Sequence, residues 1–156
     1  MTALAEAAPA TESQPGDDHV LVLCHMLSNR ISDVFEGEFA ASEVTVPEWR
    51  VLLSVAGGGH INAQAIAGRW AMNKMTVSRA IDSLVDRDLV NRSRNPLDRR
   101  VHDLGLTPAG RRLYDRLIPL ANRRYHELTA GLSADELRQF KSTLAKLIGR
   151  ADDLTR

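Results

Sequence analysis

The strongest constraint on this chain comes from two adjacent segments between Ala63 and Thr107. The first opens on Asn73-Lys74-Met75-Thr76-Val77-Ser78-Arg79, and the second is the arginine-rich run Arg92-Ser93-Arg94-Asn95-Pro96-Leu97-Asp98-Arg99-Arg100. In the first, Val77, Ile81, Leu84 and Val85 recur at i, i+4, i+7 and i+8, the spacing of one buried helix face. Advancing by about 100° per residue puts Met75, Thr76, Arg79, Asp82, Ser83 and Asp86 on the opposite face. Upstream, Asn62 is positioned to cap a short helix with Ala63, Ile66, Ala67 and Trp70 inward. Ala71-Met72 makes a tight turn and Asn73 caps the next helix, which predicts a helix-turn-helix.

A polar helix face by itself fits a solvated surface as well as a DNA-reading one, and the next residues separate the two. Asp88 ends the helix, Leu89 to Arg94 reads as a short strand, Asn95-Pro96 as a turn, and Arg100 to Leu106 as a returning strand. Arg92 and Arg94 fall on one face of the first strand because side chains alternate with period two. An arginine-rich hairpin directly after a helix-turn-helix is a winged helix. The outward N-terminal residues of the second helix are then those that reach base edges. Arg79 can pair bidentately with guanine, and Lys74, Thr76 and Ser78 suit phosphate or base contacts. Arg92, Arg94, Asp98, Arg99 and Arg100 form the wing set, with Asp98 placed to brace Arg100.

Charge supports this division. The chain is neutral overall, yet residues 1–48 hold nine acids against Arg30 alone, while residues 62–101 hold eight bases against four acids. A basic centre on a neutral body is the footprint of a polyanion-binding lobe. At 156 residues the chain is long enough for a real core, and with only 4% aromatic residues that core must be largely aliphatic. The lone Cys24 excludes an internal disulfide and suits a reducing cytoplasm. No apolar run approaches the roughly 20 residues of a membrane span, so no membrane partner is expected.

The flanking segments organise around that lobe. Residues 1–17 are expected to be a disordered arm. A long first helix runs from Asp18, capped by Asp17 or Asp18, to about Ala41, with an apolar stripe wide enough to cover a second surface. A second helix starts at Thr45-Val46-Pro47, carries Trp49, Leu52, Leu53 and Val55 inward, and ends at Gly57-Gly58-Gly59. Thr107-Pro108 starts a fifth helix and Ser133 to Glu136 is a capping box for a sixth. The expected class is mainly α (α+β): a winged helix-turn-helix lobe over 46–107, and a helical dimerisation region over 18–45 and 108–156.

Thr76-Val77-Ser78-Arg79, Leu89-Val90, Arg92, Asp98-Arg99-Arg100 and Leu106-Thr107-Pro108-Ala109-Gly110, in this order, resemble the MarR family of winged-helix transcriptional regulators. The resemblance covers about Asp18 to Arg150 and rests most on the D-x-R wing followed by L-T-x-x-G. It implies a homodimer joined by the terminal helices and bound to a pseudo-palindromic operator on double-stranded DNA, as a repressor released by a small ligand. Asp88 departs from the glycine common there, although Asp tolerates the left-handed conformation better than most residues.

Three signals compete as the release trigger. A redox sensor needs a reactive thiolate, and Cys24 lies on an apolar stripe with no fixed cation evident beside it. A metal sensor would draw on His19, His25, His60, His102 or His126, which form no tight ligand cluster in sequence. The third signal, an aromatic carboxylate or its acyl thioester, fits the crevice that the resemblance implies between bundle and lobe. His25, Asn29, Arg30, Trp49, Arg50 and His60 could supply a cation, donors and an aromatic wall there. Arg30 is equally explained by an ion pair with Asp33 or Glu36 on its own helix. No metal site, resident cofactor or catalytic residue is expected: no P-loop, H-E-x-x-H or serine elbow occurs. A winged helix used only for protein contacts is the remaining alternative.

Overall fold

The computed structural model describes residues 16, 19–95 and 102–155. The expected arm (apart from Gly16), the caps at Asp17 or Asp18, the turn at Pro96, the start of the returning strand and the wing residues Asp98, Arg99 and Arg100 lie outside the described residues. The chain divides into two compact units, Met1–Val34 and Phe35–Arg156. Helix α1 (Val20–Phe39) begins in the first and continues into the second. In the first unit Val20, Leu21, Leu23 and Leu27 are exposed, and Asn29 hydrogen-bonds His25 across one helical turn at 3.3 Å. None of the described helices is long and apolar enough to cross a membrane.

The second unit is built from capped helices. After a 3-10 turn (Ala40–Ser42), the Thr45 side chain accepts from the Glu48 backbone N–H while the Glu48 carboxylate accepts from that of Thr45. This reciprocal box satisfies donors that the first turn of a helix leaves open. Helix α2 (Val46–Ala56) ends at Gly57, and Gly58 and Gly59 take positive φ in the loop beyond it. The side chain of Asn62 caps α3 (Ala63–Arg69) through the Ala65 N–H at 2.9 Å, and Asn73 caps α4 (Lys74–Asp86) through Met75 at 2.8 Å. Between them Ala71 adopts φ 48°, so the turn is as tight as its two residues require.

The exit from α4 confirms the expectation for Asp88. It sits at φ 53°; its N–H donates to the Val85 carbonyl at 2.9 Å, and the Leu89 N–H reaches back to Leu84 at 2.8 Å. Those two bonds are the Schellman closure usually supplied by glycine. Strand β1 (Val90–Arg94) then pairs antiparallel with β2 (His102–Leu106), Val90 opposite Leu106 and Arg94 opposite His102. The Thr107 hydroxyl donates to the Asp88 carbonyl at 2.6 Å and accepts from the Gly110 N–H at 3.0 Å. One side chain thus joins the end of the recognition-type helix to the start of α5 (Pro108–Thr129).

The core of this unit is aliphatic with an aromatic end. Val51, Leu52, Ile66, Val77, Ile81, Leu84, Val90 and Leu117 are buried between α2, α3, α4, the sheet and α5. Phe35, Phe39, Trp49, Tyr114 and Tyr125 form a chain of ring contacts spaced 5.0–5.9 Å, the range in which aromatic pairs attract. Glu38 accepts from Arg123 at 2.8 Å and Arg124 at 2.7 Å, tying the end of α1 to α5. Those two guanidiniums, Arg124 first, hold the Glu38 carboxyl below the ordinary glutamate value. Helix α6 (Ala134–Leu154) starts with the expected Ser133–Glu136 box yet buries none of its residues; Phe140, Leu147, Ile148 and Leu154 stand exposed.

Several inward or outward assignments change, Trp70 and Val85 being only half-buried among them. Ser83, expected on the open face of α4, is half-buried and donates to Glu48 at 2.6 Å, because the buried Glu48 carboxylate needs partners. Ala63 is exposed at the first turn of α3, where the helix has not yet reached the core. Leu53 is only half-buried, and Val51, at 0% exposure, takes the interior place.

Candidate nucleic-acid interface

The first turns of α4 present Lys74, Met75, Thr76, Ser78 and Arg79 to solvent on a helix whose other side is closed by Val77, Ala80, Ile81 and Leu84. The Asn73 cap fixes where this helix starts and therefore how these side chains are aimed. Thr76 and Arg79 also line a shallow cleft with Thr45 and Pro47 at the start of α2. Ser78 opens on another, which it shares with Arg92 and His102 of the sheet. The face so built is basic and hydroxyl-bearing, the chemistry that binds a phosphate backbone while offering donors to base edges.

The bases of the central segment are not equally available. Arg92 is ion-paired with Asp82 of α4, while Arg94 stands exposed at the end of β1. Arg87 remains partly exposed but is engaged: its guanidinium donates to the Glu43 carbonyl at 2.9 Å and lies 3.5 Å from Glu48. Glu48 in turn accepts from Ser83 and from both the N–H and hydroxyl of Thr45, which makes it the polar joint between α2 and α4. Arg69 stacks over the Trp70 ring at 5.6 Å. Counting charges from sequence therefore overstates the open basic surface by Arg87.

A brace at the base of the wing was not legible in the sequence. His60 Nδ1 lies 2.7 Å from Asp103 Oδ2, and the Asn95 amide donates to both oxygens of that carboxylate at 2.9 and 3.0 Å. The Leu104 N–H donates to the Ile61 carbonyl at 2.8 Å, so the α2–α3 loop holds β2 by main chain and side chain together. The His60 contact, followed by the Asn95 amide, keeps the Asp103 carboxyl below the ordinary aspartate value. Among the described residues no three His, Cys, Asp or Glu side chains converge as a metal site would need.

Of the residues expected to line an effector pocket, Trp49, Arg50 and His60 each have a partner elsewhere in the second unit. Trp49 is 2% exposed and stacks on Tyr114 at 5.9 Å; Arg50 lies over the Trp70 ring at 5.7 Å; His60 belongs to the wing brace. No hydrogen bond, ion pair or ring contact joins these three side chains to one another. His25, Asn29 and Arg30 lie in the first unit, where Arg30 is exposed and makes no ion pair with a described residue, Asp33 and Glu36 included. Trp49 Nε1 is buried with no hydrogen-bond acceptor among the described residues.

Helix-turn-helix, two-stranded wing and flanking long helices define a winged-helix fold. The sequence profile of the MarR family matches residues 44–102, and no curated protein sequence matches the chain. A MarR/EmrR family transcriptional regulator from Acinetobacter sp. ADP1 superposes with a TM-score of 0.82 at 22% identity, covering 88% of this chain and 97% of that one. BpsR of Bordetella bronchiseptica, whose DNA binding is regulated by 6-hydroxynicotinic acid, gives 0.71 at 26% identity, with 80% and 95% covered. S. aureus MepR, solved as a DNA complex, gives 0.78 at 19% identity, with 88% and 99% covered. Residues 44–102 thus match the MarR family profile, and the chain has the fold of the family's transcriptional regulators.

Proposed function

We propose that this chain is a sequence-specific DNA-binding regulator, a homodimeric repressor that leaves a pseudo-palindromic operator when a small organic anion binds. The observation that carries the reading is the outward face of α4, with Lys74, Thr76, Ser78 and Arg79 exposed on a capped helix beside the basic wing. In this reading Arg79 reads a base edge, Lys74, Thr76 and Ser78 bind phosphate or base, and Arg92, Arg94, Asp98, Arg99 and Arg100 work from the wing. A winged helix serving only protein contacts gains nothing from such a cationic face.

Dimerisation is supported by α6, which is fully helical, capped and without a single buried residue. Apolar side chains left uncovered on that scale are normal for an interface. The aromatic acid is supported by Trp49, whose buried N–H lacks an acceptor that a carboxylate oxygen would provide. BpsR and its pyridine carboxylate offer the parallel. His25, Asn29, Arg30, Arg50 and His60 complete the proposed effector set, and the protein would act in the cytoplasm, where its DNA is.

A gel-shift titration with DNA upstream of the chain's own gene, at several salt concentrations, tests the reading. The expected result is a retarded complex whose log affinity falls with log salt by about 0.9 per phosphate neutralised. Arg79→Ala should flatten the preference among sequences, and Arg100→Ala should weaken all of them alike. Wild-type affinity in both variants would overturn the assignment.

A further inference from the structure

The described part of the winged-helix lobe keeps its large apolar side chains out of full solvent exposure with one exception. Among the described residues of 46–107, Met75 alone is a large hydrophobic residue standing in solvent, at 62% exposure. It is the second residue of α4, and its own backbone N–H is held by the Asn73 side chain at 2.8 Å, so the turn that carries it is anchored. Thr76 follows it, and Arg79 lies four residues on, directly above it on the same outward strip. A thioether placed between hydroxyls and cations gains nothing from water.

Resting on the DNA-binding reading above, we infer that Met75 is a specificity residue that packs against the 5-methyl group of a thymine. The major-groove edges of the four base pairs offer donors and acceptors everywhere and one apolar feature only, the thymine methyl. A side chain at the first turn of a recognition helix is among those that reach base edges. Methionine is unbranched and polarisable, so it can settle on a methyl group whose position shifts with local groove geometry. With Arg79 one helical turn away, the strip would read a thymine and a guanine at neighbouring positions of the half-site.

The test begins by selecting preferred duplexes from a random library with the wild-type protein. Each thymine of the selected site is then replaced by deoxyuridine, which removes the methyl and nothing else. At one thymine per half-site the wild type should lose about fourfold in affinity, the factor for one methyl-sized group taken from water. Met75→Ala should bind the thymine duplex correspondingly more weakly and no longer distinguish thymine from uracil there, while Met75→Leu retains the distinction. A wild type indifferent to uracil everywhere, or Met75→Ala showing the full wild-type discrimination, overturns the inference while leaving DNA binding intact. Failure to select any duplex overturns the DNA-binding reading and this inference with it. A Met75→Ala protein that changes oligomeric state and leaves uracil discrimination unaltered assigns the residue to a protein contact and also overturns it.

Discussion

The Cβ that Gly110 lacks would stand 1.8 Å from the carbonyl oxygen of Leu89. That oxygen already accepts from the Thr107 N–H at 3.1 Å, and Thr107 itself caps α5 through Gly110. The end of α4, the first residue before the wing and the start of α5 therefore meet at a point where only glycine fits. Gly110→Ala must push backbone against backbone and open the joint. We expect a loss of about 3 kcal/mol, at the upper end for overpacking, seen as a melting temperature lower by about 10 °C. A melt within two degrees of wild type would show that the joint yields freely.

Glu48 is 4% exposed and serves Thr45, Ser83 and Arg87 at once. Glu48→Ala removes the capping box and leaves the Ser83 hydroxyl and the Arg87 guanidinium without their buried acceptor. Urea denaturation should register a loss of about 3 kcal/mol, as for a broken buried charge contact. Glu48→Gln keeps a carbonyl for one donor and should lose only about 1 kcal/mol. Equal losses for the two would remove the distinction between shape and charge at this joint.

Asp82 and Arg92 pair between α4 and β1, both side chains about half exposed. On the proposed DNA-binding reading, the pair would hold a wing arginine away from phosphate and add a negative charge to the face that meets DNA. Asp82→Asn should leave stability within about 1 kcal/mol, since exposed pairs contribute little. Operator affinity should rise, with the salt slope steeper by about 0.9 as one more phosphate is neutralised. Binding isotherms over a range of salt check both, and an unchanged slope would mean Arg92 stays off the backbone.

Glu38 and Asp103 both have carboxyl pKa values lowered in the fold, by Arg124 with Arg123 and by His60 with Asn95 respectively. A carboxyl lowered on folding adds stability that is present above its unfolded value and disappears as pH falls through the folded one. Wild-type stability should therefore start to decline as pH drops below the ordinary values of 4.5 and 3.8. The Glu38→Gln/Asp103→Asn double variant should be weaker at pH 7 and show a shallower acid decline. Denaturation midpoints at pH 7, 5 and 3 for both proteins decide it, and parallel declines would remove these two groups from the acid response.

Local chemistry made much of this molecule readable. Asn62, Asn73, Thr107 and Ser133 cap helices as their positions predict, because a cap depends on residues two or three apart. Asp88 takes the left-handed turn for the same reason: the choice lies in one residue's own backbone. The Thr45-x-x-Glu48 capping box is a local pattern of the same kind. What depended on three-dimensional neighbours went otherwise. Ser83 looked outward by angle alone and turned to Glu48, and Arg87 counted as surface charge until the Glu43 carbonyl took it.

By itself, then, the sequence determined the order and ends of the elements, the winged-helix class and the outward strip from Lys74 to Arg79, since helix period, caps and turn residues act over a few positions. Only the tertiary structure decided which polar groups are already spoken for. His60 meets Asp103 across 43 residues, Arg87 meets Glu43 across 44, and Gly110 meets Leu89 at a backbone contact no pattern announces. A hydrogen bond or a close approach is set by where two segments come to rest against each other, and packing of the whole core, with no local signal at either residue, determines that.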